Sequence, residues 1–371
     1  MRLRRTVQLA AGLGLALSLA ACGQNAAAPA TQSGGEVPEG APRVGVILPE
    51  TESSARWEGF DRPLLDAAMR AEGLDADIQN AQGDEQTFST LADGMIAAGV
   101  DVLVIAAITS ESGAEVAEKA QAQGIPTIDY DRLSLGGSSE YYVSFDNEQV
   151  GALQGQGLVQ ALADKPGAQV IEIEGAPTDN NATLFYNGQQ SVVQPLYDAG
   201  TLSLVQSQRI EDWDNQIGGT TFEQILTSNG GRVDGVLAAN DGLAGAIITV
   251  LTKYGLNGTV PVTGQDATPE GLQAILRGDQ YMTVYKPIQQ EAEATARLAA
   301  ALAADDTAAA DAIATDSVED PEGARQVKSV LLEPQLITRE NVKAVIDDGA
   351  VPVEDVCVTA LQSVCTELGI S

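Results

Sequence analysis

The sequence predicts an α/β protein of two doubly wound lobes, and three observations predict it. From residue 43 onward, short β-branched runs alternate with longer Ala- and Leu-rich amphipathic stretches. The short runs, such as VGVIL (44–48) and VDVLVIAA (100–107), are apolar on both faces, the pattern of parallel strands covered by helices on either side. The chain has 371 residues and ten candidate strands, about the limit of one open twisted sheet, so two sheets are expected.

The first element is a leader rather than fold. MRLRR supplies a positive start, TVQLAAGLGLALSLAA is an apolar run of signal-peptide length, and LAAC (19–22) closes it. This is similar to a bacterial lipobox, with cleavage before Cys22 and lipidation of its thiol. A membrane span is the alternative, but the run is shorter than about 18 residues. Cleavage would remove Arg2, Arg4 and Arg5, taking the formal charge from −32 to −35. Residues 22–42, rich in Ala, Pro, Gly and Ser without periodicity, read as a flexible tether. The protein is therefore expected outside the cytoplasm, lipid-anchored to the cell membrane.

The candidate strands that follow are VGVIL (44–48), ADIQ (76–79), VDVLVIAA (100–107), PTIDY (126–130) and YYVSF (141–145), then QVIEIEG (169–175), VDGVLAAN (233–240), PVTGQD (261–266), YMTVYK (281–286) and VKSVLLEP (327–334). Candidate helices fill the intervals near 56–72, 87–98, 112–123, 147–164, 184–199, 215–229, 241–255, 269–278, 288–304 and 339–348. The small, acidic stretch 303–324 reads as a surface excursion. No Pro/Gly-rich linker interrupts 43–371, so short hinge crossings between the lobes are expected. Cys357 and Cys365 remain near the end. An oxidising compartment favours a bridge between them. Continuous helix would hold them about 12 Å apart, beyond the reach of a disulfide, so the segment between must bend back; two unpaired thiols on one helix are the alternative.

Composition excludes several functions. With 52 acidic against 20 basic residues, the chain cannot grip a nucleic-acid backbone, and anionic lipid would repel it. It has no histidine, which removes Ser-His-Asp, Cys-His and HExxH chemistry. There is no GxxxxGK[ST] phosphate loop, GQGLVQ (155–160) lies inside a helix candidate, and DYDRLS has Leu133 where a calcium loop needs a ligand. The sequons at Asn181 and Asn257 mean little in a bacterial lipoprotein.

In doubly wound sheets, ligands bind at the carboxyl ends of strands, and here those ends are polar. PTI runs into DYDR (129–132), QVIEIEG into APTDNN (176–181), VLAA into ND (240–241), PVTG into QD (265–266) and YMTVY into Lys286. Several of these Asp and Asn residues could be helix N-caps, and Asp241 reads as one. Arg and Lys do not cap. Arg56, Arg132 and Lys286 set three positive charges against Asp131, Asp179 and Asp266, a balance that suits a neutral, hydroxyl-rich ligand. The two tryptophans of the chain, in ARWEGFDR (55–62) and RIEDWDN (209–215), follow apolar runs of different lobes and could sandwich the apolar face of a sugar ring.

At these residues the chain resembles the periplasmic sugar-binding proteins of ABC importers, type I fold, and within them the D-xylose-binding group. The resemblance rests on ARWEGFDR, GVDVLVI (99–105), IDYDRL (128–133), YVSFDNEQVGALQ (142–154), PTDNNATLF (177–185), LAANDGLAGAII (237–248), GQDA (264–267) and TVYKPI (283–288), in order along the chain. It implies ligand-binding roles for Arg56, Trp57, Asp131, Arg132, Asp179, Asn180, Asn181, Trp213, Asn240, Asp266 and Lys286. It also implies two lobes that close about a hinge of three crossings, near 147–150, 285–288 and 326–340. The N-terminal lobe would hold 43–147 with 287–326, and the C-terminal lobe 148–286 with 327–349. Residues 350–371 would be a C-terminal extension. The implied function is capture of a neutral monosaccharide, D-xylose foremost, by a monomer that delivers it to an ABC permease, with no cofactor or metal. A sensor docking on a chemoreceptor or kinase is one alternative. A glycosidase using Asp131 and Asp266 is another, weakened because each carboxylate has a basic neighbour that would hold it ionised.

Overall fold

The computed structural model describes residues 38–370, apart from 52, 53 and 55. The leader, Cys22 and most of the tether lie outside the described residues. The first half alternates β1 (Arg43–Leu48), a π-helical turn (Trp57–Asp61), α1 (Arg62–Ala71), β2 (Asp75–Asn80), α2 (Glu85–Ala98), β3 (Val102–Ile105), α3 (Ser110–Ala122), β4 (Thr127–Tyr130) and β5 (Tyr141–Phe145). Then come α4 (Asn147–Ala161), β6 (Ala168–Glu174), α5 (Asn180–Asp198), β7 (Leu202–Arg209), a 3-10 turn (Glu211–Trp213), α6 (Asn215–Ser228), β8 (Gly235–Ala238), α7 (Asp241–Lys253), α8 (Pro269–Arg277) and β9 (Met282–Tyr285). The chain finishes with α9 (Ile288–Ala303), α10 (Thr307–Ile313), β10 (Asp316–Asp320), β11 (Arg325–Leu332), β12 (Gln335–Thr338), α11 (Lys343–Asp347), α12 (Val353–Val356) and α13 (Gln362–Glu367).

The N-terminal sheet runs β10-β11-β5-β4-β3-β1-β2, parallel except for the β10–β11 edge pair. Alternation along β1 builds two cores. Val44, Val46 and Leu48 face α1 and α9, with Ala292, Ala296 and Leu298; Ile47 faces α2 and α3, with Phe88 and Val116. The C-terminal sheet is the parallel trio β7-β6-β8. Ile171 and Ile173 pack with Phe222, Leu243 and Ile247 on one face, while Val170 packs with Leu158 and Val193 on the other.

Three expectations need correction. Residues 327–332 belong with the N-terminal lobe, because β11 pairs in parallel with β5 through Leu332 opposite Phe145. The third crossing therefore falls at Glu333–Pro334, where proline cannot donate to the ladder and ends the strand. Residues 261–266 form no strand, only a bridge from Val262 to Val236. Asp266 and Ala267 take left-handed φ of 96° and 50°, which turns the chain out of the sheet. Finally, 303–324 is not merely a surface excursion, since it contributes α10 and the edge strand β10.

β9 pairs antiparallel with β12 in a ribbon of its own, and the last residues pack on it. Val351, Val356, Leu361, Cys365 and Ile370 form one apolar cluster with Leu272, Tyr285 and Val345. Cys357 and Cys365 are disulfide-bonded with Cα atoms 6.0 Å apart. The chain bends between them, leaving α12 and entering a 3-10 turn at Thr359–Leu361 before α13.

Candidate functional site

The strand ends of both lobes converge on a cavity of about 30 Å³. Ten of the eleven expected residues line it: Arg56, Trp57, Asp131, Arg132, Asp179, Asn181, Trp213, Asn240, Asp266 and Lys286. Asn180 does not. It is the first residue of α5, and the 100° step per residue turns its side chain away from the direction taken by Asn181.

Arg56 enters from the π-helical turn after β1, where the Arg62 N–H returns to the Trp57 carbonyl five residues back. This wider turn buries both Arg56 and Trp57, each 2% exposed. The guanidinium is held by three carboxylates. Its Nε and Nη2 donate to Asp61 at 2.9 and 2.6 Å, Nη1 to Asp131 at 2.6 Å and Nη2 to Glu291 at 3.0 Å. Of the five N–H groups of an arginine, four are thus committed among the described residues and one on Nη1 is left for a ligand. Tyr130 donates to Asp61 at 2.7 Å from behind. Burial pushes the Glu291 carboxyl well above the usual carboxylate range, and burial likewise raises Asp61. Burial would raise Asp131 too, but Arg56, Lys286 and Arg132 outweigh it and hold that carboxyl low and ionised.

The expected three-against-three charge balance is therefore corrected. Asp61 and Glu291 share Arg56, and Glu50 lies beside Arg132, which makes six carboxylates around three cations. The local sequence hides this because Glu291 comes from α9, beyond the second crossing. Burial, which raises the Glu291 carboxyl, favours its neutral form and so eases part of the excess.

Both indole N–H groups are tied down. Trp57 Nε1 donates to Glu50 at 2.7 Å and Trp213 Nε1 to Asp179 at 3.0 Å. The guanidinium carbons of Arg56 and Arg132 stand 4.6 and 5.2 Å from the Trp57 ring centroid, within cation–π range. Trp213 has a left-handed φ of 56° and packs edge-on to Phe185, with ring centroids 6.3 Å apart. Its ring lies over Gly175, where a Cβ would come within 2.2 Å of it.

Across the cavity, Lys286 stands 3.0 Å from Asp266 and 3.8 Å from Asp131. Asn181 donates to the Asp131 carbonyl at 2.9 Å and its carboxylate at 3.1 Å. Asn240, not Asp241, caps α7, its Oδ1 accepting from Leu243 N at 2.8 Å. Asp241 turns inward instead and accepts from the Thr268 N–H and hydroxyl, Gln280 and Thr283. Gly264 and Gly271 leave it that space, since a Cβ on either would come within about 2.2 Å of its carboxylate. Ser54, Phe185 and Gln265 also line the cavity; Ser54 and Phe185 had no signal in the sequence, whereas Gln265 shares the polar strand end of Asp266. Outside it a second cavity of about 410 Å³ opens between Gln82, Gly83 and Ile108 of one lobe and Thr178 and Asp212–Gln216 of the other.

The site can therefore hold a small polar ligand between aromatic walls, offering carboxylates as acceptors and Arg, Lys and amide groups as donors. The periplasmic binding protein domain family matches residues 44–307. The D-xylose-binding periplasmic protein of Escherichia coli (strain K12) is 36% identical over 295 residues, covering 79% of this chain and 86% of that protein. The multiple sugar-binding periplasmic protein SbpA of Azospirillum brasilense is also 36% identical, over 83% of this chain and 88% of its own length. Among solved structures, a carbohydrate transporter solute binding protein from Chloroflexus aurantiacus, in complex with D-glucose, superposes with a TM-score of 0.77 at 30% identity. It covers 85% of this chain and 98% of its own.

Proposed function

The chain belongs to the periplasmic binding protein family, and from that premise we propose that it is an extracytoplasmic receptor for a neutral aldose, D-xylose foremost, serving an ABC importer. The observation that carries this reading is the lining of one cavity by both tryptophans of the chain, one from each lobe, together with alternating charged acceptors and donors. A sugar ring has apolar C–H faces for the indoles and hydroxyls that both donate and accept around its edge. Relatives named for D-xylose support a pentose as the first choice among neutral aldoses. Arg56, Asp131, Arg132, Asn181, Asn240, Asp266 and Lys286 would hold the hydroxyls. Capture closes the two lobes about the three crossings. The N-terminal leader and Cys22 fit a lipid-anchored monomer on a tether, which hands the sugar to a permease.

A receptor reading is favoured over a glycosidase because Lys286 reaches both Asp131 and Asp266, and Arg56 also holds Asp131, so that neither is poised as an acid. Titration calorimetry and thermal melts over neutral pentoses and hexoses test the proposal. Sugar at 100 times its dissociation constant should add about 2.7 kcal/mol of stability. Binding of an amino acid or a sugar acid in place of any neutral aldose would overturn it, as would turnover of chromogenic glycosides.

A further inference from the structure

Glu50 follows β1 and lines the outer cavity but not the inner one. Its Oε1 accepts from Trp57 Nε1 at 2.7 Å and stands 3.8 Å from Arg132 Nη2. Arg132 Nε lies 3.2 Å from Asp179 Oδ2, and that same oxygen accepts from Trp213 Nε1 at 3.0 Å. The five side chains form an unbroken polar belt from one indole to the other. Trp57, Glu50 and Arg132 come from the N-terminal lobe, Asp179 and Trp213 from the C-terminal lobe. The link that crosses between the lobes in this belt is Arg132–Asp179. Arg132 and Trp213 line both cavities, so the belt stands between the sugar site and the outer cleft.

We infer that Glu50 is a positioning residue that gates this site. It fixes the Trp57 ring through Nε1 and aims the Arg132 guanidinium at Asp179, so that the belt shuts the inner cavity when the lobes come together. The inference rests on the sugar reading above. Side-chain exposures of 14% for Glu50, 10% for Arg132 and 3% for Asp179 leave these ionic links only partly screened, unlike surface pairs. Arg132 also donates to the Ala107 carbonyl at 2.9 Å, which anchors it to its own lobe with or without Asp179. The belt is complete only when the lobes are closed. Loss of Glu50 should therefore act on escape of the sugar rather than on its capture.

The test is stopped-flow tryptophan fluorescence with D-xylose, or with whichever aldose binds, on the wild-type chain, Glu50→Ala and Glu50→Gln. Glu50→Ala should raise the dissociation rate about tenfold, the size of one charge-assisted hydrogen bond, with the association rate within about twofold. Glu50→Gln keeps an acceptor for Trp57 but loses the charge facing Arg132. It should raise the dissociation rate less, and that rate should rise less steeply with added NaCl than in the wild type, since only the Arg132–Asp179 pair of the belt then remains ionic. The sugar-free Glu50→Gln variant, which keeps an acceptor for Trp57 Nε1, should melt like the wild type. Unchanged dissociation in both variants, or an affinity loss carried by association, would overturn the inference while the sugar reading stands. A wild-type chain that answers to no aldose would overturn the sugar reading and this inference with it.

Discussion

Arg56 shows how a residue can be placed by sequence and still be misjudged in role. Its position after β1 marks it as a site residue, yet four of its N–H groups go to Asp61, Asp131 and Glu291. Its larger task is to hold Asp131 ionised and fixed, and Glu291, 235 residues away in sequence, had no local signal. The two acids should respond oppositely to neutralisation. Glu291→Gln mimics the protonated carboxyl that burial favours, so stability should change by less than about 1 kcal/mol and sugar affinity by less than about threefold. Asp131→Asn leaves Arg56 and Lys286 facing an uncharged partner and should cost about 3 kcal/mol or more, with sugar binding lost. Paired melts and calorimetry check this; a Glu291→Gln variant as damaged as Asp131→Asn would refute the assignment. Gly175 matters at the same scale, because its missing side chain leaves room for the Trp213 ring. Gly175→Ala drives a methyl into the Trp213 ring, so sugar affinity should fall at least tenfold by calorimetry, whereas a wild-type affinity would mean the indole is no wall of the site.

Among the elements, the pair α4 and α5 places Asn181 and Asp179 beside the first hinge crossing. These helices touch through glycine: a Cβ on Gly151 would fall 1.9 Å from the Phe185 carbonyl oxygen, and one on Gly188 would fall 1.9 Å from that of Glu148. Gly188→Ala must push the helices apart and should lower unfolding free energy by about 1–3 kcal/mol in urea melts, with sugar affinity reduced as Asn181 moves. No change in either would mean the helix contact is looser than described. At the other end, the Cys357–Cys365 bridge closes a short bend packed under β9. Replacing both cysteines by serine should cost about 2 kcal/mol. The strands buried on both faces were legible from composition. β7, exposed along much of its length, was not, nor were β10 and β12, whose short polar sequences acquire strand character only from the neighbours they pair with.

For the molecule as a whole, three buried carboxyls set an uncommon pH dependence. Burial pushes Asp129 and Asp241 up to about 7 and Glu174 up to about 8, against 3.8 and 4.5 for the free groups. Each is raised in the folded state, so its stabilising contribution is fully present below the free value and is lost as pH rises through the folded one. Stability should therefore fall from about pH 4 to pH 8, by up to about 1.4 kcal/mol per pH unit for each group while the pH lies between its free and folded values. The net charge of −32 adds self-repulsion in the same direction. Thermal melts across this range check the sign, and Glu174→Gln should flatten the slope. A melting temperature that rises between pH 5 and 8 would refute the account.

Sequence by itself determined the α/β class, the two series of strands and the polar strand ends, and the family resemblance added a set of eleven residues, ten of which line the cavity. Those features are local, since periodicity, β-branching and the residue that ends a strand are all written within a few positions. Only the tertiary structure decided which sheet β11 joins, that Asn240 rather than Asp241 caps α7, and that Glu50, Asp61 and Glu291 complete the electrostatics of the site. The β11–β5 pairing and the Glu291 contact join distant segments that no sequence window spans; Asp61, Glu50 and Asn240 are near neighbours of their partners in sequence, but packing decides which of the adjacent polar side chains turns inward.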